Sequence, residues 1–158
     1  MSEIKRTGRD TGLPDFDIGQ FLPYRMTLAA QILSETLSRA YRDRFGLSIP
    51  EWRVLAHLAT VDGASVRDIE SRVAMEKSKV SRAASRLEAR GLLSKQGNPE
   101  DRRLVHLTLT AEGIALMRDL LPLAEAFQRR IEDHLGAEFQ AFDAQVQAII
   151  DGFGAKGP

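Results

Sequence analysis

The sequence predicts a mainly α chain carrying one small β-hairpin, and three observations lead there. Two short amphipathic helical patterns lie between Ser65 and Arg90. From Leu92 to Leu109 the hydrophobic period shifts from helical to extended around a turn-rich segment. Long apolar stripes at three- and four-residue steps fill both ends of the chain.

In chain order, residues 1–19 contain Gly8, Gly12, Pro14 and alternating charges, and read as a mobile arm without a packing pattern. Over residues 20–46, Leu22, Met26, Ala29, Leu33, Leu37, Ala40 and Tyr41 trace one stripe, which predicts a long helix from Phe21 to Arg44 ending near Gly46. Pro50 falls where the first turn of a helix tolerates it, because the missing N–H has no partner there. Trp52, Leu55, Ala56 and Ala59 share one face of that helix, and Gly63 closes it.

Ser65 is a good N-cap, with Asp68 three residues on in the place a capping box puts Glu or Gln. Val66, Ile69 and Val73 give this helix its apolar positions. Ala74-Met75-Glu76 connects it to a second helix over Lys77 to Arg90, whose packing stripe is Val80, Ala84 and Leu87. On a 3.6-residue wheel that stripe leaves Ser78, Arg82 and Ser85 facing the other way, with Ser81 and Arg86 on the flanks. Gly91 is the expected left-handed residue past the helix end, and Leu92 folds back on the last turn.

Leu92-Leu93-Ser94-Lys95 and Val105-His106-Leu107-Thr108-Leu109 read as two strands, joined by a turn-rich stretch from Gln96 to Arg103. Thr110 is the N-cap of another helix. Within it Ile114, Met117, Leu120, Leu121, Ala124, Phe127, Ile131 and Leu135 repeat, and Pro122 predicts a kink. Gly136 breaks the pattern before Phe139, Phe142, Val146, Ile149 and Phe153 continue it. The order is a helix-turn-helix followed by a β-wing, with long helices on either side. Those outer stripes carry more apolar surface than one small winged unit covers, so a partner is expected; a closed monomeric bundle is the alternative.

These residues resemble the MarR-type winged-helix transcriptional regulators. The resemblance rests on Lys77-Ser78-Lys79-Val80-Ser81-Arg82, on Arg86-Leu87-Glu88-Ala89-Arg90-Gly91-Leu92, on Asp101-Arg102-Arg103, and on Leu107-Thr108-Leu109-Thr110-Ala111-Glu112-Gly113. Upstream, the run from Leu47 to Leu55 is similar to the start of the helix that precedes the family's helix-turn-helix. Together these motifs span roughly residues 20 to 150 in the right order. The resemblance implies a homodimer in which the first and last helices pack against the same elements of a second subunit. The domains are then a flexible arm (1–19), an N-terminal dimerisation helix (20–46), a winged helix-turn-helix (47–110) and C-terminal dimerisation helices (111–158). Two features depart from the family's pattern: Glu76 stands where a short N-cap is usual, and no glycine marks the turn.

The chain has 22 basic and 22 acidic residues, a balance that hides a segregation. From Ser65 to Thr110 ten Lys or Arg face six acids, whereas from Ala111 to Pro158 four face eight. The positive excess sits on the segment that would meet phosphates. There is no cysteine, which excludes disulfides, thiol redox sensing and Cys-type zinc sites. No apolar run approaches the ~20 residues of a membrane span, and the first residues lack an apolar signal core, so a cytoplasmic protein on the bacterial nucleoid, with no membrane partner, is expected. His57, His106 and His134 are the only histidines, and no HExxH, phosphate loop or nucleophile–base spacing accompanies them. No enzyme, cofactor, metal or catalytic residue is predicted.

The partner implied is double-stranded DNA. A recognition helix puts its N-terminal half into the major groove, which here offers Lys77, Ser78, Lys79, Ser81 and Arg82, with Ser85 and Arg86 a turn further on. Arg82 is the first choice for a base contact, because its fork matches guanine O6 and N7. Ser78 and Ser81 suit base edges or phosphates, and Lys77, Lys79 and Arg86 suit phosphates. In the wing the resemblance implies Asp101 as support, Arg103 in the minor groove and Arg102 on a phosphate.

It also implies release from a pseudo-palindromic operator by a small aromatic or lipophilic effector. By that analogy the pocket draws on Tyr24, Arg25, Trp52, Arg53, His57 and Met117, although Trp52 also reads as core, Arg53 as solvated and His57 as a satisfied or surface histidine. The expected function is a sequence-specific repressor; the alternative is a helical dimerisation module without specific DNA binding.

Overall fold

A computed structural model describes residues 14–97 and 105–154. It is mainly helical, with a small antiparallel sheet of three strands. Six α-helices are described: α1 (Leu22–Phe45), α2 (Ile49–Leu58), α3 (Val66–Arg72), α4 (Lys77–Ala89), α5 (Ala111–Leu135) and α6 (Phe139–Gly154). The strands are β1 (Ala64–Ser65), β2 (Leu93–Gly97) and β3 (Val105–Leu109). Two compact units divide within α1, one ending at Ser34 and the other beginning at Glu35.

In the first unit a short 3-10 turn, Ile18–Gln20, precedes α1, and the Asp17 carboxylate caps it by accepting from the Gly19 amide at 2.9 Å. The turn ends the arm expected over residues 1–19 with a defined structure. Phe16 and Phe21 meet edge to face there, with ring centroids 5.5 Å apart.

The second unit holds the core. Leu47, Val54, Leu55, Ile69, Val80, Leu87, Leu107 and Leu120 are buried, so α2, α3, α4, β3 and α5 share one interior. Each helix start in it has a local cause. Ser48 caps α2 and Ser65 caps α3, each in a reciprocal box with the acid three residues on, Glu51 and Asp68. At the end of α4, the Leu92 amide donates to the Leu87 carbonyl and the Gly91 amide to that of Glu88. This Schellman closure needs the left-handed φ of +70° that Gly91 supplies.

The turn between α3 and α4 needs a left-handed residue too, and Ala74 takes it with φ +49°. That explains how the motif manages without glycine, at a strain of roughly 1–2 kcal/mol. Glu76 precedes α4 in extended conformation with no side-chain cap bond, as its length suggests.

The sheet order is β1-β3-β2, with Ala64 opposite Leu107 and Leu93 opposite Leu109. The expected hairpin is therefore joined by a third, two-residue strand. Helix α5 runs on through Pro122 to Leu135. At its start the Thr110 hydroxyl donates to the Gly91 carbonyl at 2.6 Å and accepts from the Gly113 amide at 3.0 Å. A Cβ on Gly113 would lie 2.0 Å from the Leu92 carbonyl oxygen, so only glycine fits where α5 crosses the start of β2.

Candidate nucleic-acid interface

Helix α4 has two faces of opposite character. Val80, Ala83, Ala84 and Leu87 are fully buried, each at 0% exposure. Lys77, Ser78, Lys79, Ser81, Arg82, Ser85 and Arg86 are all exposed. The buried side fixes which way the helix faces, and a polar, net-positive surface is what remains.

The predicted contacts divide into two halves along this helix. In the N-terminal half Lys79 approaches Glu76 at 3.9 Å between two exposed side chains, a contact worth little in water. The C-terminal half is engaged with the protein itself. Ser85 accepts a hydrogen bond from Lys95 Nζ at 3.0 Å, and the same ammonium pairs with Glu88 at 2.8 Å, tying α4 to β2. Arg86 Nε donates to Glu51 Oε1 at 3.1 Å. Arg90 donates to the carbonyls of Phe45 at 2.8 Å and Gly46 at 3.3 Å, where α1 ends.

Glu51 is buried at 5% exposure and uses both oxygens, Oε1 toward Arg86 and Oε2 toward the Ser48 amide at 2.8 Å and the Ser48 hydroxyl. Burial by itself would raise its pKa, but the Ser48 bonds and the Arg86 charge outweigh it and hold the carboxyl below the ordinary 4.5. The Glu51 contacts and Arg90 were not found by sequence reasoning. A capping-box motif at Ser48 and Glu51 was the one local signal available.

The wing residues Asp101, Arg102 and Arg103 lie outside the described residues. Of the effector residues, Trp52, Arg53 and His57 line a cleft of about 420 Å³, together with Ala56, Thr60, Arg72, Val73 and Ala74. Trp52 also stacks on Tyr41 with ring centroids 5.7 Å apart. Burial pushes the Tyr41 phenol up to about 12, against the partly compensating charges of Arg53 and Arg42. Arg53 donates to the Val73 carbonyl at 3.3 Å, beside the strained Ala74. Tyr24 and Arg25 are exposed near the start of α1. Met117 is a core residue at 2% exposure, because it lies on the stripe that α5 turns inward. Among the described residues no group of three His, Cys, Asp or Glu could hold a metal, and no helix is long and apolar enough to cross a membrane.

A MarR-family model matches residues 45–104, the stretch that contains α2, the helix-turn-helix and the strand after it. Over that stretch the chain is similar to the MarR family. The HTH-type transcriptional repressor MdtR of Bacillus subtilis is 29% identical over 108 residues, 68% of this chain and 70% of that protein. Among solved MarR-like structures, the PcaV transcriptional regulator from Streptomyces coelicolor, in complex with its natural ligand, superposes with a TM-score of 0.69 at 26% identity. That likeness covers 88% of this chain and 98% of PcaV. Sco3205, a MarR family transcriptional regulator from the same organism in complex with DNA, shares the fold with a TM-score of 0.74 at 23% identity, over 88% of this chain and 89% of that one.

Proposed function

We propose that this chain is a sequence-specific DNA-binding transcriptional regulator, a repressor that acts as a homodimer and is released by a small aromatic or lipophilic effector. The observation that carries the reading is α4: one face is wholly buried and the other presents Lys77, Ser78, Lys79, Ser81 and Arg82 to solvent. A helix so placed enters a major groove with its N-terminal residues toward base edges. Arg82 is the base-reading residue, with the two serines on bases or phosphates and the two lysines on phosphates. Asp101 supports the wing, Arg102 meets a phosphate and Arg103 enters the minor groove, whose potential suits an arginine.

The dimer is supported by apolar surface that no residue of the same unit covers. Helix α6 has no buried residue, and Phe142, Ile149, Ile150 and Phe153 on it are exposed. Ile114 and Leu121 of α5 are exposed as well. A two-fold interface covers such faces in both copies at once. The effector site is the cleft at Trp52, Arg53 and His57, where an aromatic wall adjoins cationic groups that suit a carboxylate. The effector shifts the operator equilibrium only if it binds better to a dimer whose helices misfit the groove. On this reading the protein works in the cytoplasm, on its operator DNA.

The test is selection of sites from a random duplex pool, followed by a salt titration of the winning site with wild type and Arg82→Ala. An inverted repeat with half-sites about one helical turn, ~10 bp, apart is expected. Arg82→Ala should lose ~1–3 kcal/mol of binding, concentrated at one base position. Recovery of no enriched sequence would defeat the regulator reading and leave the apolar faces as the functional surface.

A further inference from the structure

The C-terminal half of α4 carries two arginines one turn apart, and both are spent on the corner where α1 ends and α2 begins. Arg86 Nε pairs with the buried Glu51 at 3.1 Å, and Arg90 holds the carbonyls of Phe45 and Gly46. We propose that Glu51 is a positioning residue for DNA recognition: through Arg86, and beside Arg90, it fixes the pitch of α4, so that Arg86 serves the protein's geometry rather than a phosphate. The proposal rests on the reading that α4 enters the groove.

Three observations carry it. First, Glu51 already completes a capping box with Ser48 through Oε2, so local helix initiation needs no partner 35 residues away. Secondly, the Glu51 carboxylate of this pair is buried although Arg86 is half exposed, and desolvating a carboxylate costs much of what its pairing returns. What the pair adds over an apolar contact is direction, because Nε–H meets one oxygen along a set line. Thirdly, Arg86 commits its Nε–H to Glu51 along the packed edge of the helix, whereas Lys77 lies fully on the exposed N-terminal turn and is better placed for phosphates. The buried side fixes which way α4 faces, and the ties at its C-terminal half fix its tilt about that contact, so losing them shifts the half that bears Ser78 and Arg82.

The test is a double-mutant cycle read on the duplex that the wild type selects. Dissociation constants are measured for wild type, Glu51→Gln, Arg86→Met and the double variant across a salt series, with the folded fraction followed by thermal unfolding. Each single substitution is expected to weaken the site about tenfold, and the double to weaken it about tenfold as well, with the salt slope unchanged. A double variant weakened about a hundredfold would overturn the coupling. A salt slope lowered by about 0.9 in Arg86→Met would make that residue a phosphate contact after all. A fall in melting temperature with site affinity intact would reduce the pair to a stabilising one. Where Glu51→Gln does not fold, Arg86→Met and Arg90→Met, which leave the Ser48–Glu51 box whole, are compared on the same readouts. If the wild type selects no duplex at all, it is the DNA reading that falls, before the variants are made.

Discussion

Replacing Phe142 by alanine tests the dimer through a quantity that the exposure of one ring sets. Phe142 is 48% exposed in the chain. With about 200 Å² for the whole residue, close to 100 Å² awaits a partner. At ~25 cal/mol per Å² its cover is worth about 2.5 kcal/mol per copy, and a two-fold interface uses the patch twice. Alanine keeps roughly a third of that area, so the net loss is about 3 kcal/mol per dimer, or two orders of magnitude in the dissociation constant. Sedimentation equilibrium over a concentration series measures it, with circular dichroism showing that the helices persist. A dissociation constant unmoved by Phe142→Ala would refute the assignment of this face. A wild type that stays monomeric at every concentration would refute the dimer itself.

Met117→Ala should cost ~2–5 kcal/mol in denaturant unfolding, because the residue is a core side chain, while binding of aromatic acids to the folded protein stays unchanged. A selective loss of acid binding would return it to the pocket. Glu51 gives a pH signature whose sign follows from its lowered pKa. A carboxyl that ionises more readily folded than unfolded adds stability above its unfolded value and loses it as pH falls through the folded one. Wild type should therefore exceed Glu51→Gln in stability at neutral pH, and the gap should close as pH drops below 4.5. A gap that widens in acid would contradict the Ser48 and Arg86 contacts.

Much of the winged unit is legible in the sequence because its signals are local. Ser65 with Asp68, and Gly91 with Leu92, mark a helix start and stop through bonds made within five residues. The stripe Val80, Ala84, Leu87 told which face of α4 packs, and the structure adds Ala83 to it. Strand β1 was missed because two residues have no period to read; only Leu107 and His106 opposite make them a strand. The ties of Arg86 and Arg90 span 35 and more than 40 residues, and no pattern in the sequence announces them. Met117 shows the converse limit: a stripe gives a helix its apolar side, but not which members of that side meet the core and which meet a cleft.

Where Gly113 lies under the Leu92 carbonyl, there is no slack between a helix and a strand. At ~1.5 Å per residue α5 is about 37 Å long, and its N-terminal turn is pressed onto the first residues of the wing. The helix is thus a lever with one very short arm. Sliding its far end sideways by ~3 Å turns the near end through only about 5°. Large excursions among the C-terminal helices arrive at the wing geared down to small rotations, and any side chain at position 113 would uncouple the gear.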